Sequence, residues 1–173
     1  MYVEAAAIRL STLELDRAFE VSVLPERGRL FALALVITRD RSAAEDAVQE
    51  TLLAAWKAWP TVSDPYRPGG WLTRICVNQC IRRRRRFSPP VALDDASIAD
   101  VTARRQIELG GDLVDFDRAF GLLTARQRAV FTLHVRHGYT VTECAELVGC
   151  RPGTARSHLA RAVATLRKEM ERA

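Results

Sequence analysis

The sequence predicts an all-α protein: two small helical domains joined by a flexible linker. Three observations carry this. Apolar residues recur at helical spacing while strand signals are scarce. Helix-opening boxes of the Ser/Thr-x-x-Glu/Gln type stand at Ser42, Thr124 and Thr140. Charge and composition change abruptly across residues 87–111. The expected division is therefore a domain over 1–86, a linker over 87–111 and a second domain over 112–173.

The elements follow in chain order. Leu13, Leu15, Phe19, Leu30, Phe31, Leu33, Ala34 and Ile37 fit helical packing with a break near Pro25 or Gly28. Ser42-Ala-Ala-Glu45 reads as a capping box, hydroxyl and carboxylate closing a first turn reciprocally. The stripe Ala44, Val48, Leu52, Ala55, Trp56 and Trp59 follows, and Pro60 ends that helix. Residues 60–70 are rich in Pro, Gly, Ser and Asp and read as an ordered loop. A helix from about Trp71 to Arg86 puts Leu72, Ile75, Cys76 and Cys80 on one face and Arg74, Asn78, Arg82 and Arg85 on the other. Residues 87–111, with prolines at the start, glycines at the end and acid between, are too long and too aperiodic for a loop inside one compact domain.

The C-terminal block begins with a short apolar helix over Phe116–Leu122. Thr124-Ala-Arg-Gln127 opens a helix to about His137, with Gly138 suited to its end. Thr140-Val-Thr-Glu143 opens a short helix that stops at Gly149. Pro152 fits the first turn of the last helix, which runs to about Met170. Its apolar face is Ala155, Leu159, Ala162, Val163, Leu166 and Met170. Its opposite face carries Thr154, Ser157, His158, Arg161, Thr165 and Lys168.

The net charge of +5 is unevenly spread. Residues 1–66 carry 7 basic and 10 acidic side chains; residues 67–86 carry 7 basic and none acidic. Residues 87–115 are again acidic, with 6 carboxylates against 2 arginines, and residues 116–173 hold 10 basic against 5 acidic. Two basic blocks separated by acid are what two nucleic-acid contact zones on a linker would look like. All but Lys57 and Lys168 of the 26 cations are arginine, whose planar fork suits phosphates and base edges.

Other classes find little support. No apolar run approaches the roughly 20 residues of a membrane span, and Glu4 precedes any arginine, unlike a secretory leader. A cytoplasmic protein is expected. Its four cysteines (Cys76, Cys80, Cys144, Cys150) are then reduced, and neither they nor His134, His137 and His158 have metal-site spacing. Cys144 and Cys150 flank the short helix before the last one, and redox sensing by them is a minor alternative with no sign of a lowered thiol pKa behind it. No Gly-rich phosphate loop, H-E-x-x-H or Ser/His/Asp grouping points to catalysis. No catalytic residue, metal or cofactor is expected.

A short capped helix, a tight turn with glycine and a longer basic helix form the helix-turn-helix pattern. Thr154, Ser157, His158 and Arg161 have lengths and donors that reach base edges in a major groove, and Arg156 on the shoulder suits a phosphate. The bland reading is a helical bundle with a solvated basic face.

Longer motifs then carry a resemblance. Ala-Glu45-Asp46-Ala-Val-Gln49-Glu50-Thr-Leu with Ala-Trp56 resembles the region-two core of sigma factors of bacterial RNA polymerase. Trp71-Leu-Thr-Arg74-Ile75-Cys-Val-Asn78 resembles the segment that follows in that family. Leu123-Thr124-Ala-Arg-Gln127-Arg128 and Gly153-Thr154-Ala-Arg156-Ser157-His158-Leu159-Ala-Arg161-Ala162 resemble region four. Length, two blocks and an acidic connection match the extracytoplasmic-function (ECF) group, which keeps only those two regions. The resemblance covers roughly residues 15–86 and 112–171.

It implies a dissociable promoter-specificity subunit, monomeric when free, without catalysis of its own. Asp46, Gln49 and Glu50 would dock on the clamp helices of the polymerase β′ subunit, and region four on the β flap; a solvated helix face is the alternative for those carboxylates. Arg74, Asn78, Arg82 and Arg85, with Ser63, Asp64, Tyr66 and Arg67 walling a pocket for a flipped base, would take the −10 element and help open the strands. The run Arg82 to Arg86 would hold phosphates without sequence preference. Trp56, Trp59 and Trp71 are core residues or stacking platforms, Trp59 first among them for stacking. Thr154, Arg156, Ser157, His158 and Arg161 would read the −35 element. His158 stands where the family often has Arg or Lys. An anti-sigma protein commonly holds such factors inactive.

A stand-alone helix-turn-helix regulator explains the C-terminal half equally well, but not the Asp46–Glu50 helix or the Trp71–Asn78 segment. Deleting residues 1–90 separates the two readings. A regulator keeps operator binding in a gel-shift assay; a sigma factor loses initiation.

Overall fold

A computed structural model of the chain describes residues 12–62, 68–87 and 111–172, and every regular element among them is helical. The first helix, α1 (Thr12–Val23), stops ahead of Pro25, whose missing N–H and fixed φ cannot continue it. A single 3-10 turn, Leu24–Glu26, leads into α2 (Arg27–Thr38). Arg29 then ties α2 to the start of a later helix, donating to the Thr73 hydroxyl (3.0 Å) and the Gly69 carbonyl (3.0 Å).

Between α2 and α3 (Arg41–Ala58) the chain reverses at Arg39, which adopts a left-handed conformation (φ 58°). A non-glycine residue there costs about 1 kcal/mol or more. The reversal leaves Asp40 extended at the start of α3, where its carboxylate accepts from the Ala43 N–H at 2.6 Å. The capping box expected at Ser42 and Glu45 therefore does not form. Asp40 is itself a strong cap and the turn places it two residues earlier; Glu45 instead pairs with Arg41 one helical turn back (3.0 Å). The buried stripe of α3 also shifts. Ala44, Val48 and Ala55 are in the core as expected, joined by Ala47 and Thr51, whereas Trp56 is 44% exposed.

Trp59 and Pro60 lie in a 3-10 turn, Trp59–Thr61, that ends this segment. Beyond it, α4 runs from Gly69 to Phe87. Leu72, Cys76 and Cys80 are buried as expected, but so are Thr73, Val77 and Ile81. The extra burial arises because α4 packs on α2 and α3 and also on two helices from the far end of the sequence.

Those belong to the second block: α5 (Gly111–Gly121), α6 (Ala125–Phe131, extended by a π turn over Thr132–Arg136), α7 (Val141–Val148) and α8 (Pro152–Met170). Both capping boxes predicted here form. Gln127 and Glu143 each accept from the cap N–H at 2.7 Å, while Thr124 and Thr140 accept from the third helical N–H at 3.3 Å. Gly138 (φ 73°) and Gly149 (φ 69°) end their helices in the left-handed region that side chains disfavour. Pro152 takes the first turn of α8. The predicted linker lies almost wholly outside the described residues, between Phe87 and Gly111.

One apolar core runs through both blocks. Leu30, Leu33 and Ile37 of α2 and Val77 and Cys80 of α4 share it with Val130, Leu133, Cys144 and Val148. A smaller cluster, Ala119, Phe120, Leu123, Ala162 and Leu166, seats α5 on α8. The seam between the blocks is fixed by Arg128, fully buried at 0% exposure. Its guanidinium donates to the Ile37 carbonyl at the end of α2 (2.8 Å), and to the Leu123 and Gly121 carbonyls of its own block. Removing it would strand buried carbonyls and open a cavity together. Arg128→Ala is expected to lower unfolding free energy by about 3 kcal/mol, read as a shift in urea midpoint; a change under about 0.5 kcal/mol would refute the role given to this residue.

Candidate nucleic-acid and polymerase interface

The last helix presents two distinct faces. Ala155, Ala162 and Leu166 are buried against the rest of the second block and Leu159 is half-buried, while Val163 and Met170 sit at the margin, 38% and 44% exposed. Thr154, Arg156, Ser157 and Arg161 are exposed together in the N-terminal half, and His158 is half-buried beside them. The Ser157 hydroxyl donates to the Gly153 carbonyl (3.0 Å), which leaves its lone pairs outward. Burial, then Arg126 and Arg161, push the His158 imidazole below its ordinary value. It is therefore a neutral ring at pH 7, offering one donor and one acceptor rather than a charge. With Pro152 setting the first turn and Gly149 the turn before it, the face is built on rigid structure.

On α3, Gln49 is exposed and Asp46 and Glu50 are half-buried at its edge. Leu53 (54% exposed) and Trp56 lie one and two turns further along. Acid followed by unburied apolar surface is a protein-docking composition rather than a phosphate-binding one.

The third group is only partly brought together. Arg74 and Arg82 are exposed on α4. Asn78 is not on an open face. Its amide donates to the Arg74 carbonyl (2.8 Å) and lies 3.4 Å from the Leu147 carbonyl of α7. The reason is the packing of α7 across α4, which periodicity within α4 cannot announce. Arg85 falls within α4, but its side chain lies outside the described residues, as do Ser63, Asp64, Tyr66 and Arg67. The tryptophans resolve differently from one another. Trp59 is 3% exposed and packs edge-on against Phe19 (centroids 5.3 Å), so it is a core residue and not a stacking platform. Trp71 leans on it at 6.4 Å, half-buried. Trp56 keeps an open flank, its other side against Phe19 at 5.0 Å.

Three residues that sequence reasoning passed over lie at the seam. Arg39 grips Asp117 of α5 with both guanidinium ends (3.0 and 2.8 Å), and Arg128 is the third. The available signal was Arg128 itself, standing among Ala125, Ala129 and Thr132 on a face of small residues. Between α2, α5 and α6 a cleft of about 900 Å³ is lined by Val36, Leu113, Phe116, Phe131 and Val135, with Arg39 and Asp117 at its edge.

Among the described residues no cluster of three or more His, Cys, Asp or Glu could hold a metal ion, and no helix is long and apolar enough to cross a membrane. Burial, with Glu143 beside it, pushes the Cys144 thiol up to about 11, and burial raises Cys150 as well. At pH 8 only about one Cys144 in a thousand is then thiolate, a fraction that grows tenfold with each pH unit up to that value. Iodoacetamide at pH 8 is expected to leave Cys144 unlabelled in the folded protein and to label it after denaturation. Rapid labelling of the native thiol would contradict this environment.

Comparison with known proteins gives these faces a common context. The family model for Sigma-70 region 2 matches residues 23–88. That for Sigma-70, region 4 matches residues 113–166. The chain is 32% identical over 152 residues to the ECF RNA polymerase sigma factor SigM of Mycobacterium tuberculosis, covering 86% of this chain and 75% of that one. It is 32% identical to SigL of the same organism, covering 82% of each. Among solved structures it resembles the sigma factor RpoE of Bartonella quintana in complex with the anti-sigma factor NepR (TM-score 0.63, 27% identity, 90% of this chain and 98% of that one). It likewise resembles CnrH in complex with the cytosolic domain of CnrY (TM-score 0.61, 27% identity, 90% and 89%). With both regions matched in order on an all-helical fold, this chain belongs to the extracytoplasmic-function sigma factors of bacterial RNA polymerase.

Proposed function

We propose that the chain docks on core RNA polymerase through α3, with Asp46, Gln49 and Glu50 on the β′ clamp helices and region four on the β flap. In that assembly α8 reads the −35 element through Thr154, Arg156, Ser157, His158 and Arg161. Arg74, Asn78, Arg82 and Arg85, with Ser63, Asp64, Tyr66 and Arg67, take the −10 element and favour strand opening. The observation that carries this reading is the match to both regions in order, with donors exposed together on α8 and exposed Gln49 between half-buried Asp46 and Glu50 on α3. A free-standing regulator would have no use for the second face.

The division of labour is chemical. Arg156 and Arg161 supply planar forks for phosphate or guanine edges, and neutral His158 adds hydrogen bonding without charge. Arg82 and the arginines after it would give affinity that falls steeply with salt and is blind to sequence. Polymerase would hold the two regions at the promoter spacing, so that binding of one raises the effective concentration of the other at its element. The cleft between α2, α5 and α6 has an apolar floor with Arg29, Arg41 and Arg136 around it, and an amphipathic helix of an anti-sigma protein with acidic flanks would fit that lining.

The test is to add the protein to core polymerase and map transcript 5′ ends on genomic fragments of its source. Discrete starts sharing two motifs about two helical turns apart are expected. Tight operator binding without polymerase, and no new starts, would overturn the reading. Arg161→Ala is expected to reduce initiation by about tenfold, most at promoters with the consensus −35 element. Asp46→Ala with Glu50→Ala is expected to weaken polymerase binding in pull-down titrations while leaving the isolated chain folded.

A further inference from the structure

We propose that the cleft between α2, α5 and α6 binds a single-chain acyl carboxylate, a fatty acid whose head group meets Arg136 and whose tail lies along Val36, Phe116 and Phe131. Binding there needs none of the promoter or polymerase roles proposed above.

Size and lining set the tail. The cleft measures about 900 Å³, within the roughly 300–1,000 Å³ of small-molecule sites. Its floor is built by Val36 of α2, Leu113 and Phe116 of α5, Phe131 of α6 and Val135 of the π turn. Leu113 and Val135 are 52% and 61% exposed. Single exposed apolar residues are ordinary, but here they gather in one concave site. The walls are preformed: Phe116 and Phe131 each pack on Phe120, with centroids 5.7 and 5.9 Å apart. An acyl chain needs only an apolar channel of this kind, with no polar partner along its length.

Charge sets the head group. Four arginines line the cleft, and three are already committed. Arg29 pairs with Glu26, Arg39 with Asp117 and Arg41 with Glu45. Arg136 is exposed and makes no ion pair among the described residues. It follows Val135 directly on the π turn, so free charge adjoins the apolar floor. Next to it, desolvation at the cleft wall, then the Arg29 and Arg136 guanidiniums, hold the His137 imidazole below its ordinary value. That ring is neutral at pH 7 and offers a hydrogen bond rather than a second charge. One free guanidinium beside a neutral imidazole suits a planar head with a single charge that accepts two parallel N–H bonds, which is a carboxylate. A phosphate monoester brings nearly two charges, more than this one guanidinium balances.

The test is calorimetric titration of the full chain with sodium dodecanoate below its micelle concentration. Dodecanoate is expected to saturate one site per chain. Decanoate, two methylenes shorter, should bind about tenfold more weakly. Acetate has the head without the tail, and dodecyltrimethylammonium has the tail with the opposite charge; neither should fill the site. Arg136→Glu is expected to weaken dodecanoate binding by about tenfold or more, while Arg136→Lys keeps most of it. Val135→Asp, which sets a carboxylate against the tail, should weaken it as Arg136→Glu does. Both positions are exposed, and thermal melting checks that the variants stay folded. Equal affinity in wild type and Arg136→Glu overturns the inference, as does equal binding of the trimethylammonium amphiphile or unsaturable uptake of many dodecanoates. No dodecanoate binding also overturns it and leaves the floor to a protein helix. A wild type that is dimeric by light scattering, and monomeric as Val135→Asp, assigns the floor to a second copy and overturns it too. None of these readouts uses DNA or polymerase, so failure here leaves the promoter reading standing.

Discussion

The burial of one guanidinium governs how this chain is arranged. Arg128 carries a charge that cannot be removed at any ordinary pH, and it is placed where water does not reach. Its donors must find carbonyls, and the carbonyls in reach belong to both regions: Gly121 and Leu123 of region four, Ile37 of region two. Two regions that sequence would let drift on a linker are thus pinned by one buried guanidinium. The apolar surface around it, from Leu33 and Ile37 to Val130 and Leu133, is a core shared between them rather than two cores in contact. Separating the regions would expose that apolar surface and leave the Ile37 carbonyl without its partner.

Much of the fold was legible because the signals were local. Thr124 with Gln127 and Thr140 with Glu143 opened helices where their side chains said they would. Gly138, Gly149 and Pro152 punctuated them for reasons of φ alone. The start of α3 was misread because two caps competed within three residues. Asp40 won through a left-handed turn at Arg39, a conformation that arginine does not advertise. Trp56 and Trp59 show a different limit. Sequence puts both on one helical stripe, but α3 ends at Ala58, so Trp59 enters the core from the 3-10 turn that follows while Trp56 keeps an open flank.

The candidate site was legible in proportion to how far each face is self-contained. On α8 the apolar and donor-bearing faces separate within one helix, so Thr154, Arg156, Ser157 and Arg161 are exposed as expected, while His158 is half-buried and Val163 and Met170 leave the apolar face for the margin. On α4 the sequence also separates two faces, but a helix from the other region covers Asn78. No periodicity within residues 69–87 encodes that contact. The same holds for Arg39 and Asp117, which are ordinary charges on their own helices and become a bidentate pair only in the folded chain. Long-range pairing is where a single sequence is least informative.

The most direct test is a pair of spin labels, one on α3 and one at the C-terminal end of α8, with their separation measured by pulsed electron resonance. The account predicts a short, narrow distance distribution in the free chain. A broad distribution reaching distances several tens of ångströms longer would contradict it.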